Sequence, residues 1–117
     1  MSGEADFFTH RDMRGDGDLY EGKVPVERIG YMTEMLTQRA VEYISKRRNG
    51  AGAASPFYLS LQYTAPHWPW EGPHDQNVSR ALGRGYDGYT AGGSLKTYAA
   101  MMKSLDDGVA EVLRALD

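Results

Sequence analysis

The sequence predicts an α/β protein in which one central strand over residues 57–63 packs between a helix over 33–48 and a second helix over 94–116. Three observations carry this. Phe57 to Tyr63 reads FYLSLQY, an apolar and aromatic run of strand length broken only by Ser60 and Gln62, the pattern of a strand buried on both faces. Met32, Leu36, Ala40 and Ile44 recur every fourth residue while Gln38, Glu42 and Ser45 fall elsewhere, which is helical periodicity. From Leu95 to Leu116 the apolar residues again step by threes and fours.

Taken in order, residues 1–23 are polar and turn-forming, with Phe7, Phe8, Leu19 and Tyr20 as anchors, and are expected to be mostly loop. Val24 and Val26 flank Pro25, which restricts this stretch to an edge strand or an extended connection. In the first helix Thr33 is placed to cap the free amides and Glu34 sits at the positive end of the dipole. Lys46, Arg47 and Arg48 sit at the negative end, a solvated helix terminus rather than an anion patch, and Asn49-Gly50 permits a left-handed stop. Small residues 50–55 connect to the strand. Residues 71–93 form a glycine-rich excursion too long for an ordinary connection. A phosphate-loop reading of Arg84-Gly85 and Gly92-Gly93 is weak, because no strand precedes these glycines and no Gly-Lys-Ser/Thr follows. Ser94 is a natural cap for the second helix, where Met101 and Met102 fill core, and Asp106 and Asp107, about 100° apart on a helix, belong to its polar face. The expected core is Leu36, Ile44, Leu59, Leu61, Met101, Leu105 and Val109.

The 117 residues form a single segment with 25% charged residues and a formal net charge of −3, which gives no electrostatic case for nucleic acid or an anionic membrane as partner. No apolar run approaches the ~20 residues of a membrane span, and MSGEADFFTHRD lacks the basic and apolar regions of a signal peptide. Without cysteine there is no disulfide, thiolate nucleophile or Cys-ligated zinc. A two-sided strand needs neighbours on both edges, and no other stretch is a convincing strand. The chain therefore reads as a piece of a larger sheet, completed by the missing remainder of a domain or by another copy of itself.

The chemistry concentrates after the strand, where Pro66, His67, Trp68, Pro69 and Trp70 are contiguous; in open α/β sheets the loop leaving the carboxyl end of a strand is where ligands bind. A Ser-His-Asp hydrolase needs an activated serine, and none of the serines lies on a Gly-x-Ser-x-Gly elbow. His67, His74 and Asp75 match no compact metal-ligand spacing. Spacing alone leaves two readings open: a ligand platform built from Trp68 and Trp70, or a proline-stiffened loop that covers the core.

PFYLSLQYTAPHWPWEGP resembles the segment of the sulfatase family in which a buried strand ends in an Ala-Pro-His-x-Pro loop. DLYEGKVPVERIGYMTEMLTQRAVEYI is similar to the family's preceding helix, with Glu34 where aspartate is usual, and SLKTYAAMMKSLDDGVAEVLRALD to the helix that follows. The resemblance runs from Ala5 onward. It implies the middle segment of a sulfatase catalytic domain, a partial alkaline-phosphatase-like α/β sandwich whose parent hydrolyses sulfate esters. Family members attack sulfur with a formylglycine hydrate while calcium polarises the sulfate. By this resemblance His67 is the inherited catalytic residue, contacting the sulfate and assisting the leaving oxygen, and Trp68 and Trp70 are substrate-pocket walls.

No metal ligand maps onto the chain. Calcium and formylglycine are expected only in full-length members, since there is no cysteine and neither Ser55-Pro56 nor Val24-Pro25 is followed by the required arginine. Lys96 and Lys103 match none of the family's lysines. The implied function is a sulfatase fragment inactive by itself; the alternative is a stand-alone remnant that self-associates and binds a ligand or protein.

Overall fold

The computed structural model describes residues 5–50, 55–82 and 93–117. In chain order the described residues include a two-stranded ribbon, β1 (Tyr20–Glu21) and β2 (Val24–Pro25), and the helices α1 (Met32–Asn49), α2 (Gln76–Leu82) and α3 (Leu95–Leu116). This is a mixed architecture of helices plus a small sheet, consistent with an α/β protein.

The ribbon pairs Tyr20 with Pro25 and Glu21 with Val24 in antiparallel register. Gly22, at φ +63, turns the chain between them, a conformation that costs glycine least. Pro25 thus sits where a two-stranded sheet tolerates it, on an edge.

Helix α1 starts one residue earlier than the sequence suggests. Tyr31 is its extended N-cap with no side-chain cap bond, and Thr33 is fully buried inside the first turn instead of capping it. Glu34 and the Lys46–Arg48 triplet lie in the first and last turns as the dipole favours. The stop is not left-handed: Gly50 is extended, at φ −95 and ψ 179. Glycine is needed there for another reason, since a Cβ would lie 2.6 Å from the Lys46 carbonyl oxygen.

In α3, Ser94 caps as expected, its hydroxyl accepting the Thr97 N–H at 3.1 Å. Asp107 pairs with Lys103 one turn back, 2.6 Å apart and well exposed, an arrangement that adds only a few tenths of a kcal/mol. Helices α1 and α3 pack together, and at their far ends the Arg48 guanidinium donates to the carbonyls of Ala115 and Asp117, supplying donors that the end of α3 lacks.

Residues 57–63 do not form the expected strand. Among the described residues the two short strands pair only with each other, so this stretch has no sheet to join and lies along α1. Phe57 meets Tyr43 edge-on at 5.7 Å, and Leu59 and Leu61 line a shallow groove with Leu36 and Ala40. Burial on both faces is likewise not found: Tyr58 is 87% exposed, Phe57 37% and Leu59 36%.

The core shifts accordingly. Ile44 and Met101 are buried as expected and Leu36 and Leu105 pack against the core, but Val109 is exposed, and the remaining centre is Phe7, Tyr31, Met32 and Ala65. The N-terminal loop supplies its anchor, because Phe7 is fully buried, stacks on Tyr31 at 5.5 Å, and accepts the Met32 N–H through its carbonyl. Among the described residues no helix is long and apolar enough to cross a membrane.

Candidate active-site loop

Residues 65–72 leave the 55–64 stretch and reverse over the core. The His67 N–H donates to the Thr64 carbonyl at 2.8 Å, closing a turn that puts the imidazole outside. The peptide bonds preceding Pro66 and Pro69 are cis. The His67 Nδ1 lies 3.0 Å from the Trp68 carbonyl oxygen. A carbonyl only accepts, so Nδ1 carries the proton and Nε2 is the ring's basic nitrogen.

The tryptophans sit together. Trp68 stacks on Trp70 with centroids 4.6 Å apart and planes within 4°. Trp70 is fixed from three sides: its indole N–H donates to the Pro66 carbonyl at 3.2 Å, its ring meets Tyr98 of α3 at 5.2 Å, and the backbone of Gly93 lies beneath it. A Cβ on Gly93 would approach the Trp70 Cβ to 2.7 Å, and its φ of +82 also requires glycine. Trp68 is 37% exposed, so the stack presents an aromatic surface next to the imidazole. The three expected site residues therefore share one loop. His74 lies apart, in a groove of about 460 Å³ with Glu34, Lys103 and Asp107 between α1 and α3. Asp75 accepts the Gly72 N–H at 2.8 Å, shaping the turn into α2.

Beneath the loop lies a polar cluster that sequence reasoning missed. Glu71 is 1% exposed; its Oε2 accepts the Phe7 N–H at 2.9 Å and its carbonyl accepts the Tyr31 hydroxyl at 2.7 Å. Asp6 receives the N–H groups of Phe8 and Thr9 on one oxygen and the Ser79 hydroxyl, at 2.7 Å, on the other.

The two carboxyl groups are neighbours, since the Phe7 N–H that binds Glu71 belongs to the residue following Asp6. Burial, reinforced by the negative charge of Asp6, pushes Glu71 up to about 8, whereas for Asp6 burial is outweighed by its donors and the carboxyl is held below its ordinary value. Burial also raises the Tyr31 hydroxyl and lowers the buried His10, whose Nε2–H donates to the Gly30 carbonyl at 3.0 Å. No periodicity marks these residues, because Glu71 and Ser79 meet their partners across 64 and 73 positions.

One imidazole and two indoles do not fit calcium, which takes six to eight oxygens. Among the described residues no group of three or more His, Asp or Glu gathers around a common point. The loop can hold a ring against an aromatic face and offer or take a proton at Nε2.

The family model for sulfatases matches residues 4–117. An uncharacterized sulfatase of Escherichia coli (strain K12), YdeN, is 26% identical over 98 residues, covering 84% of this chain and 16% of the relative. The chain thus spans about a sixth of that relative's length. No solved structure matches the chain.

Proposed function

The chain belongs to the sulfatase family, and from that premise we propose that it is the part of a sulfuric-ester hydrolase that carries the proton-donating loop. The observation that carries this is the geometry of His67: its Nδ1 proton is held by the Trp68 carbonyl, which leaves Nε2 to take a second proton and pass it to a departing alcohol oxygen. The adjacent Trp68–Trp70 stack is the wall against which the alcohol portion of the ester rests. Nucleophile and cation ligands belong to the remainder of an alkaline-phosphatase-like domain. The exposed edge of residues 57–63 supports this reading, since it is where neighbouring strands of such a domain would pair.

Two measurements test it. The isolated chain leaves an aryl sulfate untouched, with or without calcium; turnover by pure protein that vanishes in His67→Ala would overthrow the fragment reading. Grafted in place of the matching stretch of the Escherichia coli relative, the segment supports hydrolysis of a suitable sulfate ester, and His67→Ala in that graft lowers kcat by about 10² to 10⁴-fold, the usual contribution of a general acid.

A further inference from the structure

We propose that Asp6 and Glu71 hold one proton between them and that this proton latches the His67 loop to the N-terminal segment, making Glu71 the positioning residue for the imidazole and both indoles. Glu71 directly follows Trp70, so whatever fixes its side chain fixes the end of the loop. Its Oε2 accepts the N–H of Phe7, the residue that follows Asp6, and Asp6 is itself tied to Ser79 of α2. The N-terminal segment thus meets the end of the loop and α2, both more than sixty positions away, at one carboxyl pair, and Glu71 is all but sealed from water.

Two carboxylates side by side in such a site repel strongly, whereas one acid and one carboxylate form a charge-assisted hydrogen bond. Among the described residues, the titratable groups that act on the pair or bond to it are His10 on the N-terminal segment and Tyr31 before α1, and Tyr31 in turn feels Glu34 in the first turn of α1 and Asp75 before α2. α3 meets the neighbouring Gly72 with the uncharged Ala100. His10 and Tyr31 titrate on either side of the range that matters, because burial lowers the first and raises the second. Glu71, at about 8, falls between them.

As pH rises toward 8 the closed-to-open ratio of the loop therefore falls, by up to about tenfold per pH unit, and then levels off. This holds whether or not His67 is a catalyst, so it stands or falls separately from the sulfatase mechanism.

Both tryptophans of the chain lie in this loop, so acrylamide quenching of their fluorescence reads its opening, with helical circular dichroism as the control for folding. Between pH 6 and 9 the wild-type indoles become more accessible while the helix signal persists. Glu71→Gln, which keeps a neutral donor, abolishes the pH dependence, and Asp6→Asn, which removes the opposing charge, also flattens it should the first variant fold poorly. The proposal is overturned by a flat wild-type profile, by a folded Glu71→Gln or Asp6→Asn variant that titrates like wild type, or by accessibility that rises only together with loss of helix.

Discussion

The hydroxyl groups of Thr37 and Tyr63 meet at 2.8 Å directly above Gly108 of α3, joining α1 to the stretch that leads into the His67 loop. Thr37 also donates to the Thr33 carbonyl at 2.9 Å, so its hydroxyl is held from both sides and the glycine beneath has no room to grow. A Cβ on Gly108 would lie 2.8 Å from the Tyr63 hydroxyl oxygen and closer still to that of Thr37.

Gly108→Ala tests this contact. Helix propensity alone favours alanine by about 1 kcal/mol, whereas overpacking a close contact costs about 1 to 3 kcal/mol, so the expected net effect is destabilisation in urea unfolding. Adding Thr37→Ala removes the nearest obstacle, and the pair should be less destabilised than the two single changes summed. Strict additivity would mean that the helices do not meet at Gly108.

The buried carboxyl pair sets a pH dependence of stability. Glu71 has a folded value raised to about 8 from 4.5, so its favourable contribution is complete below pH 4.5 and is lost as pH rises through about 8. His10 is lowered from 6.5, so its contribution is complete above pH 6.5 and is lost only as pH falls below that. Between pH 6.5 and 8, therefore, Glu71 governs, and unfolding free energy should fall by up to about 1.4 kcal/mol per pH unit. The same series on Glu71→Gln should be nearly level.

Core substitutions should rank by the burial found here. Phe7 is fully buried, and Phe7→Ala should cost about 3 to 5 kcal/mol. Leu59 is 36% exposed on a stretch without sheet partners, so Leu59→Ala should cost clearly less than the ~2 to 5 kcal/mol of a fully buried leucine. Denaturant midpoints that reverse this order would restore the buried strand that the sequence suggests.

Exposed Phe57, Tyr58 and Leu59 also predict self-association of the isolated chain, because an unpaired apolar edge templates pairing. Light scattering should show mass rising with concentration, and Tyr58→Lys, at a position 87% exposed, should suppress the rise without lowering stability. A wild-type chain that stays monomeric at high concentration would rule this out.

Residue pattern alone determined the two long helices, their charged ends and the Ser94 cap, since periodicity and capping act within a few positions of one another. It also determined which side chains are available for chemistry, because His67, Trp68 and Trp70 are neighbours in the chain and share a loop in any fold. Only the tertiary structure decided whether residues 57–63 are a strand, since a strand exists through partners that its own sequence does not contain. Nor did any local signal foretell that Phe7 centres the core or that Asp6, Glu71 and Ser79 meet beneath the loop. The hydrogen bonds from Phe7 to Glu71 and from Ser79 to Asp6 join residues 64 and 73 positions apart, and the ionisation of a carboxyl group depends on the neighbours and the burial that folding brings to it.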